Sequence, residues 1–269
     1  MGRMTTDLVL DQPLRPLMEL VAVSLVVRGT VAIDRVGCGF DATSITGVIG
    51  LDPDDNERPT GRAALRDLVT GHALPNSGTL RFGGLRIDRL GPSARVRLGI
   101  LAMRRRQLLT TGSVRDMLLA ARLLVSRPTL RLVLDSGARS SEEDARDIDA
   151  ILDFVEIDGL AERPVASLGG LEARLAELAR CLAQRPRLLL LEHPFARLGA
   201  ADREQLARLL VRLRKAALAI VVIDDDLATL GRVADRCLVF DRGRLIADAT
   251  PAAIGASSRV YRLLTGSEL

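Results

Sequence analysis

"SLGGLEARLAELARCLAQRPRLLLLEHPFARLGAADREQLARLLVRLRK", residues 167–215, decides the fold. The run from Leu171 reads as a helix that Pro186 stops, because proline has no N–H for the helical ladder. Leu188 to Leu191 is a continuous apolar run, typical of a strand buried on both faces, and a second helix starts near Ala200. Downstream, "LAIVVIDDD", "LATLGRVADR", "CLVFDRG" and "RLIAD" read as strand, helix, strand and strand. This alternation is that of βαβ units, so a parallel sheet is expected, with Leu188–Leu191 and Ile220–Ile223 in it.

Upstream the pattern changes. "MELVAVSLVV", "SITGVIG" and, after the Asn76-Ser77-Gly78 turn, "GTLRFGGLRI" read as β segments, giving an antiparallel part. In the middle, Ser140 with Glu143 reads as a capping box for a helix whose Ile148, Ile151, Leu152 and Val155 share one face. The fold class is therefore α/β, a mixed-sheet core with an antiparallel β part and a helical lobe at about residues 113–165. There is no internal repeat.

Composition bounds the function. The chain has 269 residues, 48% hydrophobic and 27% charged, enough for one α/β domain with appendages or two small domains. Aromatics are only 2%, which argues against a base-stacking nucleic-acid platform, and a net charge of +4 with interleaved signs reads as a solvated surface. No nucleic-acid partner is expected. Cys38, Cys181 and Cys237 have no metal or redox spacing and read as buried thiols in a reducing compartment. The first residues, with Asp7 and Asp11, do not read as a secretory signal, and no apolar run reaches the ~18 residues of a membrane span.

"GVIGLDPDDNERPTGRAALRDLVTG", residues 47–71, has the frame of a phosphate-binding loop: an apolar strand ending in Gly50, a polar loop, and a helix after Gly61. Its chemistry is altered. Arg62 stands at the lysine position and Ala63 at the hydroxyl position; the sole lysine, Lys215, lies far downstream. Ten residues separate Gly50 from Gly61 where the motif allows about four. Among them are Asp52, Asp54, Asp55 and Glu57. A carboxylate ~6 Å from a phosphate charge repels it by roughly 3 kcal/mol at an effective dielectric near 20. Asp52, Asp54 and Asn56 match the first alternating positions of a calcium loop, but Glu57 stands where that loop needs glycine and Ala63 where it needs glutamate. A solvated loop is the simpler reading.

The order of these segments, over roughly residues 18–255, resembles the ATP-binding-cassette ATPases. The resemblance implies an amino-terminal extension (residues 1–17), a cassette domain (18–255) and a carboxy-terminal tail (256–269). The stretch "ARLLVSRPTLRLVLDSGARSSEEDARDIDA" and the end of the chain are similar to the branched-chain amino-acid importer subunits and their urea-type relatives. The resemblance also places the remaining motif positions. Val27 falls at the adenine-stacking aromatic, Glu192 and His193 at the Walker B Asp-Glu pair, and Asp225 at the switch histidine. The signature falls most naturally on Leu168-Gly169-Gly170-Leu171-Glu172, a one-residue shift that uses Ser167 being the other register, with Gly199 at the D-loop aspartate and Arg104 to Arg106 near the glutamine loop, Gln107 lying a residue or two out of register. Glu192 could reach a metal, but no metal site is expected. His193 reads as a polar residue at a strand end, and Asp224 to Asp226 as acids favoured before a helix N-terminus.

What the resemblance implies is an importer subunit at the inner face of the cell membrane. It would be a degenerate pseudo-ATPase, with no intact catalytic residue and only a vestigial nucleotide site at Gly50, Gly61, Arg62, Ala63, Gly169 and Gly170. Its partners would be a membrane permease, docked through the Arg104–Arg106 region, and a second cassette subunit, identical or not. No cofactor is expected. Two alternatives stand beside this reading. One is a divergent active ATPase using Mg-ATP through Arg62, Glu192 and His193; the other is a free-standing regulatory or scaffold protein.

Overall fold

The computed structural model describes residues 16–50, 61–103, 112–126, 138–216, 218–258 and 260. The acidic loop 51–60, Arg104–Arg106 with Gln107, and most of the N-terminal extension and C-terminal tail lie outside the described residues. Strands β1 (Met18–Val27), β2 (Thr30–Phe40) and β3 (Ile45–Gly50) lead into helix α1 (Gly61–Thr70). Then come β4 (Ser77–Phe82), β5 (Leu85–Arg86), α2 (Pro92–Arg97), β6 (Ile100–Met103), α3 (Val114–Ser126) and α4 (Ala138–Val155). The chain continues through α5 (Gly170–Ala183), β7 (Leu188–Glu192), α6 (Ala200–Arg214), β8 (Ala219–Ile223), α7 (Leu227–Val233), β9 (Arg236–Asp241), β10 (Arg244–Ala249) and α8 (Pro251–Ala256).

The six-stranded sheet runs β10-β9-β3-β8-β7-β6, with β10 antiparallel to β9 and the other neighbours parallel. The expected neighbours pair directly, Leu189 opposite Ile220 and Leu191 opposite Val222. The second sheet, β2-β1-β4-β5, is antiparallel throughout.

Successive strand side chains point to opposite faces, and this splits the leucine run of β7 between two cores. Leu188 and Leu190 join Val48, Val221, Leu238 and Phe240 against α1 and the antiparallel sheet. Leu189 and Leu191 pack against α5, α6 and the helical lobe, with Leu175, Leu178 and Leu210. Each leucine so buried contributes roughly 1.5–3 kcal/mol. With few aromatics, both cores are built mainly from aliphatic side chains, with Phe40, Phe82 and Phe240 in the first and Phe195 in the second.

Some sequence expectations are corrected. Helix α4 begins at Ala138, so Ser140 lies inside the helix and is not its N-cap. The segment "GTLRFGGLRI" is two strands, because Gly83 and Gly84 both take positive φ and turn the chain. Cys181 and Cys237 are buried as expected, but Cys38 is only half-buried. Strands β2 and β6 were not singled out in the sequence as strands.

Candidate functional site

The candidate site gathers where β3, β7 and β8 end beside the start of α1. Gly50 closes β3, and the stem of Arg62 lies across it. A Cβ at Gly50 would come 2.4 Å from Arg62 Cγ and 2.7 Å from Cδ, so glycine is required for this approach. Gly61 is buried against Phe240 of β9, with 3.2 Å between an added Cβ and the Phe240 Cβ. Arg62 is only 5% exposed, and its guanidinium forms an ion pair with Asp225. Ala63, half-buried beside it, offers no hydroxyl.

One turn further along α1, Arg66 forms an ion pair with Glu192 at the end of β7 and donates to Asp67 Oδ1 at 2.9 Å. His193 follows in a left-handed conformation, φ 45°, with its N–H donating to Ile223 O at 2.8 Å. That turn brings His193 Nδ1 to 3.9 Å from Asp225 Oδ2.

The loop after β8 is held by its own polar groups. The Asp224 N–H donates to Val48 O at 3.2 Å, while Asp224 Oδ1 accepts from the N–H groups of Asp225 at 2.8 Å and Asp226 at 3.3 Å. Burial pushes the Asp224 carboxyl above the ordinary carboxylate range. Asp226 caps α7 by accepting from the Ala228 N–H. Hydrogen bonds from the Thr229 side chain, outweighing its partial burial, hold its carboxyl low. The sequence reading of these acids as helix-start residues thus describes Asp226. Asp225 instead turns toward α1.

The structure brings together Gly50, Gly61, Arg62, His193 and Asp225, with Glu192 alongside. Gly169 and Gly170 lie elsewhere, at the exposed start of α5. An added Cβ on either meets nothing within 4 Å. Gly169 is the N-cap, with no side-chain cap, and Glu172 in the first turn accepts from Arg163 Nη1 at 2.8 Å. Its negative charge is thereby balanced. Gly199 is the N-cap of α6. Val27 is half-buried at the end of β1. The residue that sequence reasoning missed is Arg66; its spacing from Arg62 on one helix face was the available signal. Among the described residues, no group of three or more His, Cys, Asp or Glu is arranged to hold a metal.

A family model described as ABC transporter matches residues 57–196. The chain is 34% identical over 246 residues to the aliphatic sulfonates import ATP-binding protein SsuB 1 of Nocardia farcinica, covering 87% of this chain and 84% of that one. It is 25% identical to the high-affinity branched-chain amino acid transport ATP-binding protein BraF of Pseudomonas aeruginosa, covering 94% and 98%. It is 26% identical to the ribose import ATP-binding protein RbsA 1 of Mesorhizobium japonicum, of whose length it spans 46%. In fold it is similar to the ADP conformation of the ATP-binding cassette MJ1267, with TM-score 0.80, 19% identity and coverage of 93% and 99%. With the strand order and the phosphate-loop frame in place, this chain belongs to the ABC transporter family, among its ATP-binding subunits.

Proposed function

We propose that the chain is the cassette subunit of a membrane importer that has lost ATP hydrolysis and works beside a competent second cassette subunit. The family uses ATP with Mg²⁺, and the residues of this site do not fit that group. The observation that carries the reading is the Arg66–Glu192 ion pair. It engages the carboxylate that stands at the Walker B aspartate position and could have reached a metal, while Ala63 removes the hydroxyl that would share that task. No catalytic step is therefore assigned to the chain. The vestigial site is Gly50, Gly61, Arg62 and Ala63, with Gly169 and Gly170 retained at the start of α5 to face a partner subunit.

The importer reading rests on the relatives, whose names include branched-chain amino acid, ribose and sulfonate import. The branched-chain class is our choice because BraF matches over nearly the full length of both chains. The chain would act at the cytoplasmic face of the membrane; among the described residues no helix is long and apolar enough to cross it. A groove of about 390 Å³, bounded by Arg97, Ile100, Leu124 and Arg180, supports docking of a permease on this face.

Melting of the purified chain with millimolar Mg-ATP tests this. A ligand at a hundred times its Kd adds about 2.7 kcal/mol, a shift of several degrees. The expected shift is near zero. A saturable shift abolished by Arg62→Ala would replace this reading with that of a divergent ATPase.

A further inference from the structure

We propose that Asp225 is a resident anion, standing against Arg62 where a nucleotide phosphate would stand and fastening the β8–α7 loop to helix α1 with no ligand present. The inference rests on the non-hydrolysing reading and says what the altered site does instead.

Arg62 cannot retreat into water: it is 5% exposed and its stem crosses Gly50. A guanidinium so placed needs an anion, and its forked donors suit a carboxylate or a phosphate equally. Asp225 supplies the carboxylate, from a loop that has little freedom. The Asp224 N–H fixes the loop to β3, Asp224 Oδ1 takes the next N–H groups, and Asp226 starts α7 as its cap. Asp225 is thus delivered by backbone geometry, with 60% of its side chain still exposed on the outer side and His193 Nδ1 3.9 Å from its second oxygen. Charge also balances locally: Arg62 faces Asp225, Arg66 faces Glu192 and Arg203 lies 4.0 Å from Asp226. An incoming phosphate would have to displace a carboxylate already tethered to the chain. The same contact makes the position of α7 independent of nucleotide.

The test is replacement of the tethered anion by a free one, in the full chain. In Asp225→Ala, backbone amides of residues 226–233 should exchange hydrogen about tenfold faster than in the wild type, and melting should fall by a few degrees. Inorganic phosphate at millimolar concentration should restore both in Asp225→Ala, leave the wild type unchanged, and fail in Arg62→Met/Asp225→Ala. Asp225→Asn, which keeps size and polarity, provides the same comparison if the alanine variant does not fold. Unchanged exchange in both variants, or phosphate rescue that persists without Arg62, would overturn the proposal. The outcome is separable from that of the non-hydrolysing reading, which falls only if the wild-type chain binds Mg-ATP.

Discussion

Arg66 of α1 and Glu192 at the end of β7 form an ion pair that ties the first helix to the strand next to the β6 edge of the larger sheet. Both side chains are about one-fifth exposed, so the pair is shielded from water but not sealed from it. Arg66→Met should cost about 1–3 kcal/mol, because it leaves a half-buried carboxylate without its cation. Adding Glu192→Leu should recover part of the loss. Denaturant midpoints of the two single variants and the double variant check this; strictly additive losses would show that the residues do not interact.

Restoring the missing phosphate-loop chemistry at two positions should not restore binding. Arg62→Lys with Ala63→Ser supplies the lysine and the hydroxyl, but Asp225 and Glu192 keep their charges and the ten residues between Gly50 and Gly61 remain. The melting shift with Mg-ATP should stay near zero. A shift of several degrees would locate the whole defect in those two residues.

Arg95 of α2 is the largest fully buried side chain among the described residues and directs its donors at main-chain carbonyls. It donates to Leu90 O at 2.9 Å, Val69 O and Ile87 O each at 3.0 Å, and also to Leu68 O. Burial pushes its pKa down to about 10, so it stays charged at neutral pH, next to the C-terminal end of α1 where a cation is favoured. Arg95→Met should lose about 3 kcal/mol or more, since several buried carbonyls lose their donor together. A drop in melting temperature under about two degrees would contradict this.

Asp224 gives the pH dependence. Burial raises its carboxyl above the ordinary value, so the folded chain keeps the proton to higher pH than the unfolded chain does. The stability it contributes is complete below the unfolded value and is lost as pH rises through the folded one. Asp224 Oδ2 is buried with no hydrogen-bond partner among the described residues, while Oδ1 accepts from the N–H groups of Asp225 and Asp226. Asn retains that acceptor without the charge. Asp224→Asn should therefore be more stable than the wild type at pH 7 and lose that advantage as pH falls below the ordinary carboxylate range. A loss of stability at pH 7 would show that the ionised form is the favoured one.

By itself the sequence determined the α/β class, the presence of the Leu188–Leu191 and Ile220–Ile223 strands in one parallel sheet, and the altered residues at the phosphate loop. These are local: a continuous apolar run, the order of strands and helices, and a Gly-Arg-Ala where Gly-Lys-Ser/Thr belongs are all written along the chain. The short strand β6 escaped because four residues carry little periodicity, and the N-terminus of α4 was misplaced because Ser140 offers a capping pattern that the helix does not use. Only the tertiary structure decided which charges meet. Arg62 and Asp225, or Arg66 and Glu192, are far apart in sequence. Their pairing depends on strand order, on the left-handed turn at His193 and on the glycine that admits the Arg62 stem, and so it is fixed only when the ends of β3, β7 and β8 are brought beside α1.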